Sequence, residues 1–393
     1  MTSQLLVTRT LLVQGNAALC AAAAGAPPPV AGLCALSGGG LSRIFQVYSP
    51  SSAVTLTLNA LALVNGSDVA DGLGGAAVLM LPGATVAASP GLVATGCVFQ
   101  NNAATGTGPG GAVAANPATL PAASMAMTLT DSTFVHNSAL SAAGAVLAAG
   151  RTVLTNVSFA ANCASYSPLQ LTNTSVQVSG SLGLGFAGAL QLASCTGVAA
   201  PGSSLSVTGG SFVGNWATQG GAVVCGPGCS CSLGGGVSFL NNSAAGTFLV
   251  GGACVAGSGG AVAALPNATL TVAGASFVDT TASCEGGSVF MSGTKQGSVA
   301  NALGGIYGFQ RASPVLTFTA GTAVAVSAAP VAGSFAGPTW QANVAGLNGG
   351  SIYIGAVRAT RGFARRRDTQ EADATPCCAD RRGGGRRAER EQL

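Results

Sequence analysis

The chain is 393 residues long, with 60 glycines, 17 prolines and 12 cysteines, and only 7% of it is charged. Its net charge of +4 belongs to the last 36 positions, because before Arg358 five basic residues (Arg9, Arg43, Arg151, Lys295, Arg311) balance five acidic ones (Asp68, Asp71, Asp131, Asp279, Glu285). Such a neutral body has no basic stripe for nucleic acid, lacks the high net charge of a disordered chain and the Leu/Glu/Lys richness of a helical bundle, and without a strict Gly-X-Y period it is not collagen.

From the amino terminus, Leu5 to Val13 reads as a strand. Arg9 with Thr10 to Val13 makes a poor secretory leader, because Gln14, Gly15 and Asn16 interrupt the about 7–15 apolar residues a leader needs. The small-residue run Ala17 to Ala26 ends at Pro27-Pro28-Pro29. No window holds the roughly 18 consecutive apolar residues of a spanning helix, so no transmembrane segment is expected. Residues 1–50 are expected to be irregular or to form the first rungs of a repeating coil.

Further along, one unit recurs: a short run alternating apolar residues with Thr or Ser, then Phe-x-x-Asn, then a Gly/Ala/Ser loop, then Gly-Gly-Ala-Val or a relative. An early copy reads Leu63-Val-Asn65 with Gly74-Gly-Ala-Ala77. Phe99-Gln-Asn-Asn102 leads to Gly110-Gly-Ala-Val113, and Phe134-Val-His-Asn137 leads to Ala143-Gly-Ala-Val146. Phe159-Ala-Ala-Asn162 has no clear second half. Phe212-Val-Gly-Asn215 precedes Gly220-Gly-Ala-Val223, and Phe239-Leu-Asn-Asn242 precedes Gly259-Gly-Ala-Val262. A degenerate copy pairs Phe277 and Thr280 with Gly286-Gly-Ser-Val289.

Successive Phe residues lie 35, 25, 53, 27 and 38 positions apart. A constant motif at an irregular period means fixed strands and variable loops, as in solenoids. Runs such as Val54-Thr-Leu-Thr-Leu58, Met127-Thr-Leu-Thr130, Leu205-Ser-Val-Thr208 and Leu270-Thr-Val272 have the period of strands. In a coil of parallel strands, equivalent residues stack about 4.8 Å apart. Inward Phe residues then form an aromatic ladder, each offset-stacked pair adding roughly 0.5–1.5 kcal/mol beyond burial. The Asn is expected at a corner, tolerating left-handed dihedrals while its amide bonds neighbouring backbone. Gly-Gly is expected at a second corner where a Cβ would collide. The expected fold is therefore all-β: a single right-handed parallel β-helix over 51–357, followed by a disordered Arg-rich tail over 358–393.

The paired motifs Phe-x-x-Asn and Gly-Gly-Ala-[Ile/Leu/Val], from about Leu61 to Met291, resemble those of the chlamydial polymorphic outer-membrane protein family. More broadly they resemble right-handed β-helix proteins of the pectate-lyase-like superfold. The first resemblance implies a surface-exposed adhesin carried by a carboxy-terminal β-barrel. The Arg-rich end of this chain departs from that pattern, having neither alternating amphipathic strands nor a terminal aromatic. The second implies polysaccharide lyases or hydrolases, which use clustered carboxylates.

Glycoside hydrolysis needs two carboxylates about 5–9.5 Å apart, but the body carboxylates occupy different repeat offsets. Only Asp68 and Asp71 are local neighbours, a weak Ca²⁺ candidate against the about 6–8 oxygens that ion takes. His136, the single histidine, has no nearby acid or nucleophile. Cys225, Cys229 and Cys231 lack a paired zinc spacing. Cys20 and Cys34 flank the Pro-rich loop and are candidate disulfide partners. Asn65, Asn156, Asn173, Asn241 and Asn267 head N-glycosylation sequons.

The structural ladder is expected to comprise Phe99, Asn102, Phe134, Asn137, Phe159, Asn162, Phe212, Asn215, Phe239, Asn242 and Phe277. No catalytic residue, metal or cofactor is assigned. The functional expectation is a non-enzymatic, extracellular or cell-surface scaffold of adhesin type whose partners are carbohydrate or other surface proteins, with no nucleic acid. Two alternatives stand beside it: a divergent polysaccharide lyase or hydrolase, and a fragment of a longer surface protein.

Overall fold

The computed structural model describes residues 4–16, 33–68, 71–83, 88–106, 108–115, 125–164, 186–193, 203–245, 257–266, 268–284 and 286–291. It adds the backbone of four short strands at 315–318, 339–341, 344–345 and 352–354. Among these residues every paired strand is parallel to its neighbour, and no helix occurs. The strands form four sheets, of ten, nine, nine and seven strands, which the chain visits in turn. We call them A, B, C and D. One circuit runs Val113–Ala115 in A, Ala126–Thr130 in B, Thr133–Val135 in C and Ser138–Ala139 in D, before A resumes at Val146–Ala148. The fold is a parallel β-helix, and stacking begins at Leu5–Val7, which pairs with Phe45–Val47.

Alternation in the sequence becomes alternation in space. In Val54–Asn59 the apolar residues are buried and the Thr and Asn residues half-buried. A slip of one residue would turn every leucine outward, so the hydrophobic pattern pins the register. Sheet C carries the aromatic file: Phe99, Phe134, Phe159, Phe212, Phe239 and Phe277 lie in direct register. Adjacent ring centroids are 4.4–4.9 Å apart, and the ring planes are parallel to within 14°. The backbone file extends through Leu63 to Leu36 at one end and to Trp340 at the other. Irregular loop lengths therefore leave the ladder intact.

The motif Asn residues make a second file, and here the sequence-based reason needs correction. Left-handed φ belongs to the residue before each Asn, namely Asn101, His136, Ala161, Gly214 and Asn241, and to Asp279 before Thr280 in the degenerate copy. Asn102, Asn137, Asn162, Asn215 and Asn242 are instead fully buried and work through their amides. Asn162 donates from Nδ2 to the Phe134 carbonyl on the rung below and to Asn215 Oδ1 on the rung above, both at 3.0 Å. Its own Oδ1 accepts from the backbone N–H and the Nδ2 of Asn137, again at 3.0 Å. The amides of Asn102, Asn137, Asn162 and Asn215 each tie three rungs together in this way, and they satisfy backbone groups at the turn. In the early copy Gly66, whose N–H donates to Asn102 Oδ1, holds the Asn position, and Asn65 holds the left-handed one.

The glycine corner is sterically enforced. A Cβ on Gly111 would overlap the carbonyl oxygen of Gly144, and the same clash repeats from Gly144 to Gly188, Gly188 to Gly221 and Gly221 to Gly260. The half-motif missing after Phe159 is Ala187-Gly-Ala-Leu190, since Leu190 pairs with both Val146 and Val223. The early copy shifts by one residue, because Val78 pairs with Val113 and so Ala76 matches Gly111. On the next rung down, Phe45 pairs with Val78, which places Arg43 at that glycine position.

From Val78–Met80 to Val262–Ala264, sheet A is buried on both sides. Leu79, Ala114 and Leu147 on its outer side pack with Leu73 and Leu81, and Val224 and Ala263 pack with Phe186 and Leu265. The outer faces of B, C and D are the ones left partly open to solvent. The Arg-rich tail over 358–393 lies outside the described residues.

Candidate functional site

The densest group of charges lies near the start of the coil. Arg43 is 4% exposed and sits where later rungs have glycine, so its side chain runs along the corner. Nε and Nη2 donate to the carbonyls of Gly74 and Gly75. Nη1 and Nη2 grip both oxygens of Asp71 at 2.9 and 2.7 Å, and Nη1 also donates to Gln4 Oε1. The planar guanidinium fork suits such bidentate pairing. Asp71 also accepts from the Leu73 N–H. Hydrogen bonding by Arg43 pulls the Asp71 carboxyl below the ordinary carboxylate range, against the opposing effect of burial.

Asp68 is 2% exposed and accepts three backbone N–H groups, from Gly74 at 3.0 Å, Thr105 at 2.7 Å and Gly106 at 3.2 Å. A buried carboxylate needs such donors to offset its lost hydration. The two neighbouring carboxylates are therefore turned to different partners, Asp71 to a cation and Asp68 to amides. That arrangement knits successive rungs and leaves no shared set of oxygens facing one ion. Among the described residues, no group of three or more His, Cys, Asp or Glu side chains could hold a metal.

The other carboxylates fall on separate corners. Asp131, with φ 47°, lies between sheets B and C and accepts from Asn156 Nδ2 at 3.1 Å. Asp279, with φ 51°, lies between C and D. Glu285 lies outside the described residues. His136 is exposed on the C–D corner, in the left-handed file whose other members are Asn65, Asn101, Ala161, Gly214, Asn241 and Asp279.

The cysteine cluster resolves into disulfide chemistry. Cys225 and Cys231 are bridged, with Cα atoms 6.2 Å apart, and Cys34, Cys229 and Cys284 are disulfide-bonded as well. Cys20, the candidate partner of Cys34, lies outside the described residues. Cys97 and Cys163 are buried thiols, and desolvation raises the Cys97 pKa. Of the sequons, Asn65, Asn156 and Asn241 occupy left-handed corner positions, with Asn156 and Asn241 exposed. Asn173 and Asn267 lie outside the described residues.

Sequence reasoning passed over Arg43. Its signal was being one of five basic residues in the body, just before an apolar strand. No family model matches the chain, and comparison with curated proteins and with solved structures likewise finds no match.

Proposed function

We propose that the body is a non-enzymatic β-helix scaffold, extracellular or at a cell surface, whose long open faces adhere to carbohydrate or to other surface proteins. The observation that carries this reading is the disposition of its few ionisable groups. Arg43, Asp68 and Asp71 are engaged with each other's rungs, Asp131 bonds an adjacent corner, and His136 stands on a different corner. A hydrolytic site wants two carboxylates converging on one cleft, whereas Asp131 and Asp279 stand on separate corners and the neighbours Asp68 and Asp71 are turned to different partners, amides and Arg43. The Cys225–Cys231 bridge and the bonded Cys34, Cys229 and Cys284 support an oxidising compartment. The repeat resemblance to the chlamydial polymorphic outer-membrane proteins supports the adhesive role and belongs to the same proposal.

The test is binding of the folded full chain to carbohydrate and protein arrays, with cleavage of acidic polysaccharide measured in parallel. Binding without cleavage, unchanged by Asp131→Ala, is the expected result. An absence of binding defeats the adhesive role. Cleavage abolished by Asp131→Ala would make the protein an enzyme instead.

A further inference from the structure

We infer that the outer face of sheet B binds ordered water at an ice surface. This adds a ligand to the scaffold reading and rests on it only in requiring that face to stand free on the folded chain. Its basis is a two-dimensional array of small hydroxyl-bearing side chains. Thr95, Thr130, Thr155 and Thr208 occupy consecutive strands in direct register. Each is therefore one strand spacing, about 4.8 Å, from the next.

Two residues back along each strand, about 6.6 Å away, runs a second file with Thr128, Ser206, Ser232 and Thr271, interrupted by Val93 and Val153. A third file holds Ser204, Ser230 and Thr269 on its later strands, after Gly91, Ala126 and Arg151 on the earlier ones. All these side chains are exposed or half-buried. From Val54–Asn59 to Thr269–Val272, Arg151 is the one charged residue among the outward positions, and none is aromatic.

The chemistry of the face selects its ligand. A polyanion would need a basic surface, and a bound small sugar would need a cleft with converging polar groups. This face carries a single charge, Arg151, and is repetitive in two directions. A crystal of water offers hydrogen-bond partners at fixed repeats close to these two spacings, and no charge.

Binding a rigid lattice favours side chains already held in one rotamer. Threonine is stiff at χ1, and the long charged side chains that would lose up to about 2 kcal/mol of rotamer entropy are nearly absent. Each Thr also sets a methyl beside its hydroxyl, and water ordered around that methyl extends the lattice onto the protein.

The experiment measures thermal hysteresis and inhibition of ice recrystallisation with the purified full chain. Thr128→Tyr and Thr155→Lys perturb the face, Leu240→Lys on the outer side of sheet C is the control, and circular dichroism melts confirm folding. The wild type and L240K are expected to be active, with T128Y and T155K losing most of the activity. A folded wild type without activity, or face variants as active as the wild type, overturns the inference. Binding to polysaccharide films without ice activity would overturn it while leaving the adhesive scaffold standing. Neither kind of binding would defeat both.

Discussion

Replacing Asn162 distinguishes between two reasons for an asparagine at this position of the repeat. If it were there for left-handed backbone, Asn162→Gly would be harmless and Asn162→Ala damaging. The structure gives the opposite rationale, because left-handed φ falls on Ala161 while Asn162 is completely buried. Truncation leaves the buried backbone N–H of Asn137 without its acceptor, while the Phe134 carbonyl loses the Asn162 amide but keeps its place in the parallel ladder with Ser158–Ala160. Asn215 Oδ1 still accepts from the Asn162 backbone N–H, and Asn137 Nδ2 still donates to the Phe99 carbonyl, so those two groups are only weakened. One orphaned buried N–H gives a loss of about 1–3 kcal/mol. That is measurable against the about 5–15 kcal/mol by which domains are stable. Urea denaturation followed by circular dichroism should show both variants falling by this amount, with Gly no better than Ala. Asn241→Gly, at the left-handed position of a nearby rung, should be nearly neutral. Rescue of the Asn162 site by glycine, or a loss below about 0.5 kcal/mol, would refute the amide-ladder account.

Three other perturbations probe separate features. Thr152 is 1% exposed with Oγ1 unpartnered, in register with Met127 and Leu205, so Thr152→Val should stabilise the fold by about 1 kcal/mol or more, read as a raised melting temperature. Asp71 has a lowered folded pKa, so its ion pair stabilises fully above the unfolded carboxylate value of about 3.9 and is lost as pH falls through the lower folded value. Asp71→Asn should therefore melt below the wild type at neutral pH and converge with it in strong acid; an equal gap at both would refute the ion pair's role. Cys97, buried and with its pKa raised, should resist iodoacetamide in the native protein and react on unfolding in urea, as mass spectrometry of the labelled peptide would show.

The coil is legible in the sequence because its strands carry a chemical signature that survives loop variation. An inward Phe must meet another Phe, so the residue recurs whether 25 or 53 positions intervene. Where a motif tolerates substitution, the signal fades. Ala187-Gly-Ala-Leu190 is hard to see because the left-handed corner accepts Ala187, at φ 56°, as well as glycine, and because 27 residues separate Phe159 from Phe186 in front of it. Gly74-Gly75 points one residue too early, since Ala76 fills the place that Gly111 holds on the next rung. The expected reason for the motif Asn is half right: hydrogen bonding holds, while the left-handed dihedral belongs to its predecessor.

Arg43 shows why the remaining chemistry is hidden. Its partners Gln4, Asp71, Gly74 and Gly75 are 39, 28, 31 and 32 positions away, and only the register of the rungs brings them together. The same holds for the Thr file of sheet B, whose members look in sequence like ordinary polar alternation. Thr130 and Thr155 are 25 positions apart, and Thr155 and Thr208 are 53, yet both pairs are strand neighbours. In a solenoid the inward side chains write the fold into the sequence, because each must match its neighbour in shape. The outward side chains are free of that constraint, so their arrangement is the part of the molecule in which selection for a ligand can act.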